Sequence, residues 1–586
     1  MEKQGAQGDE AVTAVSSKLF RCACVRRWLP LAYREELYHV LRLTGPLLLS
    51  RILNFLLPFV ITIFCGHIGN AELAGFALAS ATINVTTTAT GFGLAIACDT
   101  LISQTFGGKN MKRVGVILQR SSLILLLFCL PCWGLLINSQ NLLLLLYQED
   151  EVFYCVNSPV CLSLLQAMFL HQLQVAYLQN QGIILPQMYT AAAANIFNLG
   201  YNYVLIFSLN LGVKGSAIAN SLSQITICLL LFGYIRWKKL HLQTWGGWST
   251  ECLQDWGSYM KLAIPSAFMV CFEWWIWEIG GFLAGILGEV DLAAQHVLVE
   301  ISAITYMFPL GVHAAACVRV GNALGAGDTA RAIVTGKVAL VLSGLLALLQ
   351  GIGIAGCKSV IGYIFTSDHD IVEMVSKNLT VYVFLQFFDA FLCICSGILI
   401  GCGMQKIAAL SNLVSYYCIG LPVGIALMFA AHLRILGLWL GLLICVFFEM
   451  VFFLVLIFKL NWKKVTLKAQ LDSEEVPKAD GYCPVNIQYQ ELKADRDAGA
   501  NDIAGWTEED AEQSKNTANA KPQALLSGTQ LILRRGSVFL ISALILAIGV
   551  AFHIAFPAPE PSVQSRANFT LNWANASTPT PLHPLT

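Results

Sequence analysis

Twelve long apolar segments follow one another between residues 39 and 460, and this succession decides what the chain can fold into. The windows fall at 39–65, 74–105, 114–137, 152–178, 185–208, 213–236, 258–287, 292–322, 334–356, 374–402, 406–431 and 435–460. A helix needs about 20 apolar residues to cross a bilayer, and each window supplies them. A thirteenth, SVFLISALILAIGVAFHIAFP at 536–556, stands apart behind a polar stretch. Composition agrees: 56% of the 586 residues are hydrophobic and 12% charged, about half the charge of a soluble protein. The expected fold class is an all-α membrane protein. Its parts are an N-terminal segment 1–38, a first lobe of six helices 39–236, a linker 237–257, a second lobe of six helices 258–460, a loop 461–535, helix 536–556 and a tail 557–586. The loop is rich in Asp, Glu, Lys, Gln and Ala and reads as mostly disordered.

Basic residues set the orientation. Lys109, Lys112 and Arg113 follow the second window, Arg236, Lys238 and Lys239 the sixth, and Lys463, Lys464 and Lys468 the twelfth; Arg534 and Arg535 precede the thirteenth. Loops of the other parity carry isolated bases such as Lys214, Lys358 and Arg434. The N-terminus is therefore expected in the cytoplasm and, after thirteen spans, the C-terminus outside. The start, MEKQGAQGDEAVTAV, lacks the basic and apolar regions of a cleaved signal peptide. The tail offers glycosylation sequons at Asn568 and Asn575. Those at Asn84 and Asn378 fall within or beside spans and are expected to stay unmodified.

An internal repeat sets the architecture. Gly69-Asn-Ala-Glu-Leu-Ala-Gly75 aligns with Gly288-Glu-Val-Asp-Leu-Ala-Ala294, and GFGLAIACDTLISQTFGG (91–108) with PLGVHAAACVRVGNALGAG (309–327). Leu211-Gly-Val-Lys-Gly215 echoes Leu436-Gly-Leu-Trp-Leu-Gly441. Six helices per unit is an even number, so both halves enter the membrane in the same direction. The result is a parallel repeat about an axis along the membrane normal.

The first half has almost no acids inside its windows, whereas the second has Glu273, Glu278, Glu300, Asp389 and Glu449. A carboxylate at the bilayer centre costs about 2.5–3.5 kcal/mol on insertion scales, so such residues face the protein interior and are functional candidates. In CFEWWIWEIGG (271–281), Glu273, Trp274, Trp277 and Glu278 share one arc of a helix and Trp275 falls outside it. Carboxylates interleaved with indoles suit an organic cation, the acid supplying charge and the ring faces cation–π attraction. Glu273, Glu278, Glu300 and Asp389 are the candidate substrate- and proton-binding residues, with Trp274, Trp277, Tyr306 and Asn84 lining the cavity. Glu449 is read as pairing locally or snorkelling, and His296 as a packing residue. Arg51, the odd cation of the first window, needs a partner or a water-filled cavity.

Other chemistries lack their residues. There is no GxxxxGK[ST] loop and no His/Cys spacing for a metal, so neither an enzyme nor a cofactor or metal is expected, and an ion gradient must supply the energy. Zero net charge gives no reason to expect nucleic acid. The 19 cysteines lie mostly in apolar stretches, and Cys129 and Cys132 form a CxxC with no second pair. A buried carboxyl holds a proton or an organic cation but not both, and this competition is the basis of exchange.

The stretches FCGHIGNAEL, CDTLISQT, GVILQRS, TWGGWSTECLQDW, LAIPS, EWWIWE and VRVGNALGAGD together carry a resemblance. From about residue 33 to 470 the chain is similar to the vertebrate branch of the multidrug and toxin extrusion (MATE) family. The thirteenth helix and outside tail fit that branch. The resemblance implies two six-helix bundles around a V-shaped cavity and export of organic cations in exchange for protons across the plasma membrane, apical in epithelia. It also implies proton or cation binding by Glu273, Glu278 and Glu300. The chain departs from relatives at Asp389, where Glu is usual, at Arg51, where Gln is expected, and at Gln386, where His is expected. Two alternatives remain at this level: a lipid-linked sugar flippase of the same fold, whose cavity would be basic, and a receptor or scaffold signalling through 461–535.

Overall fold

In the computed structural model, residues 30–68, 81–138, 159–209, 211–366, 368–473 and 528–556 are described. They are all-helical, with no strand among them. The helices are α1 Leu31–Ile68, α2 Ala81–Gly107, α3 Met111–Ile137, α4 Pro159–Asn180, α5 Leu185–Asn202, α6 Gly212–Trp237 and α7 Trp256–Leu287. They continue as α8 Glu289–Gly325, α9 Thr329–Cys357, α10 His369–Gly401, α11 Gln405–Ala430, α12 Ile435–Lys459, α13 Trp462–Ser473 and α14 Gly528–Ala555. Eleven of the described helices are long and apolar enough to cross a membrane. The repeat segment 69–75, the sequons Asn568 and Asn575, and the tail lie outside the described residues.

The two halves repeat each other turn by turn. After α2 the backbone enters the left-handed region at Lys109 (φ 61°), and Asn110 caps α3 by accepting the Arg113 N–H at 3.3 Å. At the matching place, 218 residues on, stand Gly327 (φ 81°) and Asp328, which accepts the Arg331 N–H at 2.9 Å. α4 and α10 are both followed by a left-handed glycine, Gly182 (φ 75°) and Gly403 (φ 74°), the conformation that closes a helix at no steric cost. α5 and α11 both finish in a widened π-turn, Tyr203–Ser208 and Ala426–Ala430.

The axis relating the halves passes between α2 and α8. A Cβ on Gly107 would lie 2.1 Å from the Asn322 carbonyl oxygen, and one on Gly325 would lie 1.9 Å from that of Gln104. The two contacts are the same contact, exchanged across the axis. Around them Gln104 Nε2 donates to the Gly401 carbonyl at the end of α10 (2.9 Å), and Asn322 Nδ2 donates to the Asn180 carbonyl at the end of α4 (3.3 Å). The glycines that reveal the repeat in the sequence are thus where the backbones of the lobes touch. α1 also packs on α8 and α9, and α2 on α7.

Alternating helix direction gathers Lys109, Lys112, Arg236, Lys238, Lys239, Lys463 and Arg534 at one end of the bundle, here called the basic face. Three segments outside the apolar windows are ordered on this side. α1 starts at Leu31, eight residues before the apolar window, because Glu36 is not solvated but buried in an ion network. Arg319 of α8 holds it with Nε at 3.2 Å and Nη2 at 2.6 Å, Arg331 of α9 with Nε at 2.7 Å, and Thr335 with its hydroxyl at 3.0 Å. The linker 237–257 is clamped by Gln119 of α3, which donates to the Gly247 carbonyl (2.7 Å) and accepts from the Ser249 N–H (3.2 Å).

The third segment is the start of the polar loop 461–535, read as mostly disordered and described only as far as Ser473 and from Gly528. Its residues Trp462–Ser473 form α13, which crosses the seam between the lobes. Thr466 hydrogen bonds Thr329 of the second lobe at 2.8 Å, and Asn110 of the first donates to the Ser473 carbonyl at 3.4 Å. Thr466, Leu467, Ala469 and Ser473 form its buried side. A composition averaged over the whole loop hides so short an amphipathic stretch.

α14 begins at Gly528, eight residues before its apolar window, and packs on α3. Gly549 fits against Gly134, where a Cβ would come within 2.5 Å of the Gly134 oxygen, and Asn138 Nδ2 donates to the Gly549 carbonyl at 2.8 Å. Arg535 anchors its basic end by donating to the Leu253 carbonyl (2.8 Å) and lying 4.4 Å over the Trp256 ring.

Candidate functional site

The carboxylates of the second lobe divide into three kinds. Asp291 on α8 is fully buried and paired with Arg434 just before α12, so its charge is answered locally. Glu273 on α7 is half-buried and accepts a hydrogen bond from Tyr306 Oη of α8 at 3.2 Å. Asp389 on α10 is half-buried with no hydrogen bond or ion pair among the described residues, yet lies within electrostatic range of Glu273. Glu449 on α12 is 1% exposed. The hydroxyls of Ser411 and Ser415 face it, but without hydrogen-bond geometry, so both of its oxygens are left without a partner. Glu449 therefore neither snorkels nor pairs, because it points inward from α12 towards Glu273 and Asp389, within electrostatic range of both. The four ion pairs among the described residues involve none of the three.

Aromatic and hydroxyl groups complete this enclosure. Tyr306 lies within electrostatic range of Asp389 and the Cys393 thiol as well as Glu273, and Tyr416 of α11 lies within range of Glu273, Asp389 and Glu449. Tyr416 and Ser415 belong to a π-helical stretch, Leu413–Gly420, the kind of local widening often found at functional sites. The walls are tied by hydrogen bonds. Thr305 pairs with Tyr382, Gln350 Nε2 donates to the Thr305 carbonyl at 2.9 Å, and Gln386 Nε2 donates to the Ala347 carbonyl at 2.9 Å. Gln386 thus fastens α10 to α9.

The tryptophans separate by role. Trp274 is 38% exposed with its ring tilted against Phe92 (centroids 5.8 Å), leaving ring surface free. Trp277 packs on the fully buried Trp439 (5.7 Å), which donates to Gln295 Oε1 at 2.8 Å. Trp275 donates to the Val85 carbonyl at 3.0 Å across the lobe boundary. That carbonyl lies in the π-turn Asn84–Thr88 at the head of α2, where Asn84 itself is exposed. Glu278 and Glu300 are half-buried, and the described residues give neither a hydrogen-bond or ion-pair partner. No hydrogen bond or ion pair among the described residues joins them to the Glu273–Asp389–Glu449 group. His296 is exposed, not packed.

The first lobe contains an acid that the window survey passed over. Asp99 sits on α2 and accepts a hydrogen bond from Asn180 Nδ2 at 2.8 Å. Its signal was present in CDTLISQT, a lone acid in an apolar run. Arg51 of α1 is half-buried, lies within electrostatic range of Asp99, and makes no ion pair among the described residues. No group of three or more metal-binding side chains occurs among the described residues.

Comparison with known proteins fits this geometry. The family model MatE matches twice, over residues 46–204 and 265–426, once in each lobe. Multidrug and toxin extrusion protein 1 of Danio rerio is 46% identical over 93% of this chain and 95% of its own length. The protein of the same name from Homo sapiens is 46% identical over 89% and 93%, and that from Xenopus tropicalis 50% over 80% and 81%. Among solved structures, the eukaryotic MATE transporter AtDTX14 superposes with a TM-score of 0.71 at 28% identity, covering 76% of this chain and all of that one. A Vibrio cholerae MATE transporter, VcmN, shares the fold at 16% identity, with a TM-score of 0.67 over 74% of this chain and all of its own. With the family model covering both lobes and its relatives matched over most of their length, this chain belongs to the MATE family.

Proposed function

We propose that this protein is a secondary active antiporter that exports organic cations in exchange for protons. The observation that carries the reading is the grouping of Glu273, Asp389 and Glu449 within electrostatic range of one another inside one lobe, with no basic side chain paired to any of them among the described residues. Three carboxyls in mutual range cannot all be ionised without an answering charge. A proton or an organic cation supplies it, and each excludes the other. Relatives named for multidrug and toxin extrusion support the same substrate class.

In this reading Glu273 and Asp389 exchange proton for substrate, with Tyr306 orienting Glu273. Glu449 adds negative charge from behind, and the free ring of Trp274 offers a cation–π surface. Glu278 and Glu300 serve as further acids on the path. Asn84 and Trp277 contribute to its walls. No bound cofactor is required, since the proton gradient supplies the energy. The basic face lies in the cytoplasm by the charge rule for loops, the tail with Asn568 and Asn575 is extracellular and glycosylated, and the protein works in the plasma membrane. Protons entering from outside discharge the cation outward, and rocking of the lobes about the α2–α8 contact returns the protonated site.

The test is uptake of labelled tetraethylammonium into vesicles holding the purified protein and loaded acidic inside. Accumulation that follows the gradient and is lost in Glu273→Gln is expected. Equal uptake by Glu273→Gln would refute the assignment.

A further inference from the structure

Arg51 is a cation in a protein whose proposed cargo is cationic, and this demands an account. The α1 backbone meets α8 at Leu48, where a Cβ on Gly311 would lie 3.1 Å from Leu48 Cβ. α1 and α8 run antiparallel, as the Glu36–Arg319 pair and this contact show, so Arg51, one helical turn further along α1, stands beside the turn of α8 that precedes Gly311 and within electrostatic range of His313. His313 Nδ1 hydrogen bonds the Cys393 carbonyl at 2.7 Å, and Cys393 follows Asp389 by one turn of α10. Arg51 therefore lies where the lobes meet, within electrostatic range of Cys393, which is one turn of α10 beyond Asp389.

Its surroundings do not consume its charge. Asp99 is near but unbonded to it, with Oδ1 occupied by Asn180. No guanidinium nitrogen of Arg51 is among the buried polar atoms that lack a partner, and none makes a hydrogen bond to a described residue. Its donors are therefore open to the space between the lobes. His171 of α4 lies within electrostatic range of it, is 8% exposed, and leaves its Nε2 without a partner. A buried polar atom left unpaired is unfavourable, and such atoms ordinarily find protein, water or ligand.

We propose that Arg51, with His171 beside it, forms a carboxylate-binding subsite facing the acids of the second lobe, so that zwitterionic ammonium carboxylates are favoured cargo. The guanidinium fork matches a carboxylate by two parallel hydrogen bonds. The ammonium end then occupies the Glu273–Asp389 site, and the inference rests on that site as proposed above. A cation lacking an anionic end fits the same acids but leaves Arg51 unanswered.

The test compares 6-(trimethylammonio)hexanoate with 6-(trimethylammonio)hexanol, equal in length and different at one end. Each competes against tetraethylammonium uptake, and each is titrated by intrinsic tryptophan fluorescence of the purified protein, a readout independent of transport. We expect the carboxylate to bind at least tenfold more tightly than the alcohol. Arg51→Gln should erase that preference while tetraethylammonium uptake survives, and Arg51→Lys should keep part of it. An unchanged preference in a folded Arg51→Gln protein would overturn the proposal. So would tetraethylammonium uptake that needs chloride in wild type and loses that need in Arg51→Gln, since the occupant would then be a free anion. Loss of tetraethylammonium uptake in the wild type would instead overturn the antiport reading, with the fluorescence comparison still deciding the subsite.

Discussion

Glu36→Ala is expected to open the basic face. Glu36 belongs to the first lobe and its partners Arg319, Arg331 and Thr335 to the second, so the network joins the lobes on that side. Arg319 is 15% exposed and Arg331 is 45% exposed. Removing one member of a buried pair costs about 3–5 kcal/mol, whereas a pair with one exposed member contributes about 0.5 kcal/mol. The low end of the first range, about 3 kcal/mol, is the reasonable figure here because Arg319 keeps some access to water. If the lobes separate at this face during transport, the network exists only in the closed state. Its loss then shifts the closed-to-open ratio roughly a hundredfold, at about 1.4 kcal/mol per factor of ten. Spin labels at the exposed Leu31 and Ala326 report the gap by pulsed electron resonance. Wild type should give one short distance, and Glu36→Ala a second, longer population. A variant that loses thermal stability but keeps the single short distance would refute the reasoning, since the network would then be a brace intact in both states.

Further expectations follow from other contacts. Glu449→Gln should leave folding intact and change the pH dependence of tetraethylammonium exchange, because it removes one of three interacting carboxyls; an unaltered profile would exclude Glu449 from the site. Gly325→Ala drives a methyl group into the Gln104 carbonyl, where 1.9 Å is available. It should lower the thermal midpoint by the equivalent of about 1–3 kcal/mol, and a midpoint equal to wild type would mean that the α2–α8 contact yields freely. A chain ending after Ser473 lacks α14, which packs on α3 alone among its principal contacts. It should retain exchange in vesicles, and loss of transport by well-folded truncated protein would assign α14 a part in the cycle.

What the sequence disclosed and what it withheld have different physical origins. Long apolar windows and recurring glycines are local signals, so the helices and the repeat were legible, down to the glycines that press Gly107 and Gly325 against the opposite lobe. Hydropathy does not distinguish a helix face turned to lipid from one turned to protein, since both are apolar. For that reason Glu449 looked like a snorkelling residue and is in fact buried within electrostatic range of Asp389 and Glu273. Asp99 was lost in an otherwise apolar run for the same reason. Helix ends escaped where a charged residue is paired across space, as Glu36 is with Arg319, because the partner is 283 residues away in the chain. Of the four indoles and acids read onto one arc, Trp277 is taken up by Trp439. The excluded Trp275 turned out to bridge the lobes through Val85.

The exchanged contact of Gly107 with Asn322 and Gly325 with Gln104 is self-complementary, the form of interface that two copies of a half-length chain would make about a two-fold axis. In such a dimer every substitution is made twice, and any charge placed near the axis meets its own copy. Joining the halves in one chain lifts that constraint. At the place where the first half carries Asp99, the second, 218 residues on, carries Cys317. Covalent fusion is thus what allows an acid and a thiol to occupy equivalent positions, and lets a symmetric scaffold hold an asymmetric arrangement of charge.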